Sequence, residues 1–217
     1  MSPAIEFHTH PLRGRLFKPV RTEPLTARAD IVRRGTRIVL VDATVLQSGE
    51  VRARASAVYV PQTEDPPGET WHSLDPLPTC PEFEGAEARA TVVSTGGRKW
   101  TTDLGSANNS ERKSIWQVFD GLVDDEAPTP FQRAAVIAET TSLVCNWGSA
   151  GQGFINVDTT LSLTCLPVGE GLGLRADGQI SSDGIAVGVA TLFDRTGAVG
   201  KCAVLAISNA RRQHRLA

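Results

Sequence analysis

One carboxylate, Glu139, follows directly on the apolar run Ala134–Ala138, with Ala135 a turn before it and Leu143 a turn after. A carboxylate in such surroundings loses hydration, and its pKa rises unless a partner holds the charge. It is then either a base able to take a proton from water or a paired core acid without chemistry. Two further polar groups lie just downstream, Asn156 and Asp158. Asn156 can satisfy a strand end and Asp158 can face a turn. Other combinations carry less. Cys145 stands two turns past Glu139, but no histidine follows until His214, which argues against Cys–His nucleophilic chemistry. His8 and His10 form an HxH pair with no third ligand nearby, so no metal is expected. Gly148, Gly151 and Gly153 follow a helix rather than open one, so they do not form a phosphate loop.

The elements that must position these groups are legible. Thr129 is a good N-cap, Pro130 suits the first helical position, and Gln132 completes a capping box, which predicts one buried helix over Pro130 to Trp147. Phe154 to Cys165 reads as a strand with Ile155, Val157, Leu161 and Leu163 on one face and Asn156, Asp158, Thr160 and Ser162 on the other. Strands follow at Leu172–Ile180, Gly184–Phe193 and Val199–Ser208, joined by SSDG and DRTG turns. Towards the front, Leu25–Val32, Thr36–Leu46 and Val51–Val60 read as an antiparallel meander, while residues 1–20 have no clear period. Glu87–Thr95 and Ser114–Val123 read as further strands. The proline-rich stretch 61–85 is the best candidate boundary. The expected division is a partial unit in 1–60, a linker in 61–85 and a fuller unit in 86–210.

Composition sets the class. The chain has 217 residues, 41% hydrophobic and 21% charged, typical of a water-soluble globular protein. No apolar run approaches membrane-spanning length and no signal-like core opens the chain, so no membrane partner and a cytoplasmic location are expected. Residues 1–60 carry ten Lys/Arg against five Asp/Glu, and residues 61–130 carry five against thirteen. The overall charge of −2 gives no footprint for nucleic acid. The four cysteines are scattered, as expected of reduced packing residues.

A helix followed by a long antiparallel meander is an α+β arrangement, and a sheet curled around a central helix is the hotdog architecture. The runs PTPFQRAAVIAETTSLVCNWG and FINVDTTLSLTCLPVGEGLGLRADGQISSDGIAVGVATLFDRTGAVGKC resemble the C-terminal half of the thioesterase II-like acyl-CoA thioesterases, a double-hotdog family. The front run LFKPVRTEPLTARADIVRRGTRIVLVDATVLQSGEVRARASAVYV is similar to the later strands of that family's N-terminal hotdog.

The resemblance implies hydrolysis of a fatty acyl-CoA thioester without metal or cofactor. It implies that a helix acid, a hydroxyl or amide on the next strand and a glutamine on the last strand hold a water. Glu139 falls at the acid, where the family has aspartate, and Asn156 at the strand position, where threonine is common. Val204 falls at the glutamine position and offers no hydrogen bond; with Asp158 it is assigned to substrate binding. A non-catalytic acyl-CoA-binding relative of the same fold is the alternative, and FINVD also resembles the related hydratases, whose histidine is absent. Only sixteen residues precede Phe17, too few for the family's first strand and helix, so the expectation is either a start assigned late or a truncated N-terminal hotdog. Unpaired strand edges imply pairing of the two meanders, within a double hotdog or between copies in a homodimer.

Overall fold

The computed structural model describes residues 7–73, 75–82, 91–119, 121, 123 and 125–212. Four strands come first: β1 (Phe7–Leu16), β2 (Thr26–Arg34), β3 (Val39–Gln47) and β4 (Glu50–Pro61). Next come β5 (Val92–Thr95) and β6 (Lys113–Val118), then the helices α1 (Pro130–Ala138) and α2 (Thr141–Asn146). A small ribbon, β7 (Trp147–Gly148) and β8 (Gly151–Gln152), leads to the long strands β9 (Phe154–Leu163), β10 (Gly171–Ser182), β11 (Ile185–Asp194) and β12 (Gly197–Ser208). The expected strand over Glu87–Thr95 is present from Val92 on; its start falls at residues 87–90, outside the described residues.

Ten strands form one antiparallel sheet in the order β2-β3-β4-β1-β9-β12-β11-β10-β6-β5. Local chemistry fixes the hairpins. Ser48-Gly49 and Asp183-Gly184 all adopt positive φ, as two-residue turns matched to strand twist require. β1, which the sequence left without a period, joins the front meander to the rest, with Gly14 opposite Ala55 on one side and Thr159 on the other.

The helices lie against the face of this sheet formed by β9–β12 and β6, which makes the molecule a hotdog with a central helical segment. The core is built from Ala134, Ile137, Ala138 and Val144 of the helices with Leu161, Leu163, Leu172, Leu174, Leu192 and Cys202 of the strands. Gly188 lets α2 approach closely: a Cβ there would lie 2.4 Å from Cys145 Cβ. On the outer face, the proline-rich chain packs as a strap. Leu77 and Cys80 cover Val92, Trp116 and Phe193, and Arg175 Nη1 donates to the carbonyls of Asp75 and Pro76 at 2.9 and 2.7 Å. Among the described residues, no helix is long and apolar enough to cross a membrane.

Two expectations need correction. The helix does not run unbroken from Pro130 to Trp147. It ends at Ala138 and restarts at Thr141, and Trp147 is already in β7. The cause is local. Thr140 Oγ1 donates to the Ile137 carbonyl at 2.7 Å and Thr141 Oγ1 to the Ala138 carbonyl at 2.6 Å, while the Glu139 and Thr140 amides turn to carbonyls three residues back. Consecutive threonines thus compete for the carbonyls that a continuous helix uses.

The second correction concerns β9. Asp158 stands opposite Leu205, but Asn156 stands opposite Ala206, which leaves Val157 as one extra residue. This bulge breaks the alternation. Asn156 turns to the helix-bearing face, with Leu161 and Leu163, while Asp158 stays outside with Thr160 and Ser162.

Candidate active site

The break between the helices and the bulge in β9 meet at one point. The capping box is formed as the sequence predicts: Thr129 Oγ1 accepts from the Gln132 amide at 3.2 Å, and Gln132 Oε1 accepts from the Thr129 amide at 2.7 Å. The cap sets where α1 begins, and Glu139 follows as its C-terminal cap residue, exposed at the joint. Asn156 Nδ2 donates to Glu139 Oε1 at 2.9 Å and to the Glu139 backbone carbonyl at 3.3 Å. Among the described residues, Glu139 Oε2 and Asn156 Oδ1 have no side-chain or backbone partner, so both remain able to accept from a water.

Two opposed effects act on the Glu139 carboxyl. Burial of the carboxyl pushes the Glu139 pKa up, and the hydrogen bond from Asn156 opposes that shift. Because the residue is exposed at the joint, desolvation is partial, and water has access to the oxygens.

The remaining assigned residues, Asp158 and Val204, make no hydrogen bond to this pair. Asp158, on the other face, accepts from Arg13 Nε at 2.9 Å and from Arg15 Nε at 3.1 Å, which ties β1 to β9. Val204 is 1% exposed, lies opposite Thr159 and Gly188, and brings only methyl groups. Val204 and Ala206 are successive inward positions of β12, so their partners Thr159 and Asn156 are successive inward positions of β9. Thr159 is therefore a hydroxyl beside the pair that the motif reading passed over. Counting by twos back from Leu161 would have found it, because that count is unaffected by the bulge.

Two of the thiols, Cys145 and Cys202, are held protonated by burial, which pushes both up to about 12, and all four cysteines are free. The side chains of His8 and His10 lie outside the described residues, and among the described residues no cluster of metal ligands occurs. A cavity of about 410 Å³ opens beside the end of α2, lined by Lys113, Val144, Trp147, Phe154, Asp177 and Gln179 among others. It does not include Glu139. Its carboxylate Asp177 is already engaged by Arg175, Thr191 and Lys201.

Residues 59–207 match the family of the acyl-CoA thioesterase C-terminal domain. No curated protein sequence matches the chain. Among solved structures, an acyl-CoA thioesterase II from Mycobacterium marinum is similar at 16% identity and a TM-score of 0.64, over 96% of this chain and 82% of that one. A tesB protein from Mycobacterium avium subspecies paratuberculosis is similar at 16% identity and TM-score 0.60, over 93% and 79%. A hot dog fold protein from Alicyclobacillus acidocaldarius is similar at 15% identity and TM-score 0.61, over 95% and 80%. At these identities the structural likeness speaks for the fold, and the family match spans more than half of the chain.

Proposed function

This chain belongs to the acyl-CoA thioesterase family, and on that premise we propose that it hydrolyses a fatty acyl-CoA thioester by a water held between Glu139 and Asn156. Glu139 takes one proton from the water while the water oxygen attacks the thioester carbonyl carbon. The carbonyl oxygen becomes an oxyanion, which backbone N–H groups stabilise. When the intermediate collapses, the C–S bond breaks, and the proton held by Glu139 passes to the thiolate. The products are a carboxylic acid and coenzyme A, and no metal or covalent intermediate is required. General-base catalysis of this kind contributes about 100- to 10,000-fold. The reaction belongs to lipid metabolism, and we place it in the cytoplasm.

The observation that carries the reading is the 2.9 Å contact between Asn156 Nδ2 and Glu139 Oε1 on the helix side of the sheet. It pairs a partly desolvated carboxylate with an amide and leaves an acceptor atom on each. The test is release of free thiol from short-, medium- and long-chain acyl-CoAs. Turnover that disappears in Glu139→Gln supports the proposal; full activity in that variant overturns it.

Val204 favours one second reading. If the last strand must supply a hydrogen bond to the water, a valine with 1% exposure cannot do so, and the protein would bind acyl-CoA without cleaving it. Binding of acyl-CoA with no thiol release at any chain length would select that reading.

A further inference from the structure

Asn156 and Glu139 leave one requirement of their reaction unmet. The amide nitrogen of Asn156 carries two hydrogens. Both go to Glu139, one to Oε1 at 2.9 Å and one to the backbone carbonyl at 3.3 Å. What the pair still offers, Glu139 Oε2 and Asn156 Oδ1, are acceptors. Two acceptors suit the two hydrogens of a water. Neither can bind the thioester carbonyl oxygen, which gathers negative charge as the water attacks and calls for a donor.

The surrounding side chains narrow the choice. At the joint, the Thr140 and Thr141 hydroxyls donate to the carbonyls of Ile137 and Ala138. On the sheet, Asn156 stands opposite Ala206, and Ala206 opposite Ala186; the next inward pair is Val204 and Gly188. None of these four brings a donor on its side chain. Phe154, the inward position of β9 on one side of Asn156, brings none either, and its partner Ser208 is exposed at the end of β12. Thr159 is the inward position on the other side. It is half-buried, stands opposite Val204, and its hydroxyl has no hydrogen-bond partner among the described residues.

We infer that Thr159 is a catalytic residue whose hydroxyl donates to the thioester carbonyl oxygen and holds the oxyanion beside the backbone N–H groups. The assignment rests on the acyl-CoA reading above and adds to it a side-chain donor. Spacing gives the hydroxyl to the carbonyl oxygen instead of the water. Val204 and Ala206, the partners of Thr159 and Asn156, are two residues apart on β12, roughly 7 Å. Two groups that share one water stand within two hydrogen-bond lengths, under about 6 Å. The attacked carbonyl spans the difference, with its carbon about 3 Å from the water at attack and its oxygen directed away. Val204, 1% exposed, faces the hydroxyl with methyl groups only, and a donor in such surroundings acts more strongly than one in water. No covalent bond to Thr159 forms or breaks. Its hydrogen stays on Oγ1 while charge gathers on the carbonyl oxygen, and the charge returns to the carbonyl when the C–S bond breaks.

The test removes the hydroxyl. Thr159→Val and Thr159→Ala both do so, the first keeping the β-branched shape that suits a strand. Thr159→Ser keeps the hydroxyl. Thr160→Val, on the outer face, and Ser208→Ala are the controls. Thiol release from butyryl-CoA and palmitoyl-CoA gives kcat and KM across pH, and thermal melting confirms that each variant is folded. Thr159→Val and Thr159→Ala should lower kcat by about 100-fold, the usual cost of one oxyanion donor. KM should hardly change, because the bond strengthens only as charge develops. The acid limb of the pH–rate profile should stay in place, since Glu139 keeps its partner. Thr159→Ser should recover most of the rate, and both controls should match wild type. Wild-type kcat in folded Thr159→Val or Thr159→Ala overturns the proposal. So does an equal loss in Thr159→Ser, because the hydroxyl is then not what counts. An acid limb that moves in Thr159→Val also overturns it, by placing the hydroxyl on Glu139 or its water, and a comparable loss in Ser208→Ala does so by naming another donor. A wild type that releases no thiol, or a fully active Glu139→Gln, sinks the acyl-CoA reading and this assignment with it. An active Thr159→Val beside an inactive Glu139→Gln sinks the assignment alone.

Discussion

Asn156 donates to the Glu139 carboxylate at 2.9 Å, and it stands on the correct face to do so because β9 carries one residue, Val157, that has no partner on β12. A break in a helix and a bulge in a strand, each a departure from regular structure, thus converge on the same pair. Both departures are local: two threonine hydroxyls that take helix carbonyls, and a single unpaired residue between Asn156 and Asp158.

The first prediction concerns Glu139 and pH. Burial raises its folded pKa above that of an unfolded glutamate, near 4.3. As a base it works only when ionised, so thioesterase activity should fall on acidification through a midpoint above the ordinary glutamate range, and Glu139→Gln should abolish activity at every pH. Stability should move the other way. A carboxyl whose folded pKa is raised binds more protons in the folded state, so its contribution falls as pH rises from the unfolded to the folded value. Melting curves of wild type and Glu139→Gln should therefore differ in favour of the variant at neutral pH and converge at acid pH.

Asn156→Ala removes the donor that holds the carboxylate and lowers its pKa. Turnover should drop by about 100-fold, the usual cost of one oriented group. The acid limb of the pH–rate profile should also move to higher pH, because desolvation is then unopposed. A role confined to folding would lower the melting temperature without shifting that limb. Rate measurements across pH on the variant separate the two.

The legible parts of this fold were those governed by residues close in sequence. The capping box of Thr129 and Gln132, the positive-φ turn at Ser48-Gly49, and the three strands β10 to β12 are all short-range and all present. Glu139 could be singled out because an acid after an apolar run is unusual, and Asn156 only through the resemblance of its strand to the thioesterase family. The side of β9 that Asn156 faces was not legible, because a bulge depends on the partner strand and Val157 looks like any other strand residue. β1 was missed for a related reason: Pro11, Gly14 and its charged Arg13 and Arg15 obscure any period, and its place is fixed by neighbours far away in sequence, Asp158 among them.

Gly188 should be sensitive to the smallest change. A Cβ there would lie 2.4 Å from Cys145 Cβ and 3.0 Å from its Sγ, so Gly188→Ala must push α2 away from β11. Over-packing of this kind costs about 1–3 kcal/mol, which corresponds to a fall in melting temperature of roughly 2–4 °C per kcal/mol for a chain of this size. Cys145→Ala in the same background should not restore stability, since the clash is with the Cβ that alanine keeps. Thermal denaturation of the single and double variants reads this directly. Because α2 continues from the joint at Glu139, the displacement should also reduce turnover.

The bulge itself yields the last prediction. Strand alternation would place Asn156 and Asp158 on one face; the unpaired Val157 puts them on opposite faces. Two variants change the residue count in opposite ways. Deleting Val157 leaves Asn156 opposite Ala206 and Asp158 opposite Leu205 in a regular ladder, so Asn156 still faces Glu139. Inserting an alanine between Leu205 and Ala206 gives Val157 a partner and turns Asn156 to the outer face with Asp158, away from the carboxylate. It also brings Ile155 and Ile207, now 49% and 46% exposed, towards the helix side. Both changes lie near the end of the strand pair, which limits their cost to the core. The deletion should keep measurable thioesterase activity, reduced because losing the bulge alters the local twist and misplaces the amide. The insertion should lose at least about 100-fold, the scale of a misplacement by an ångström or more. Thiol release, with circular dichroism to confirm folding, decides between them. If the insertion stays active and the deletion is dead, the face of Asn156 is not what matters, and the water must be held by other groups.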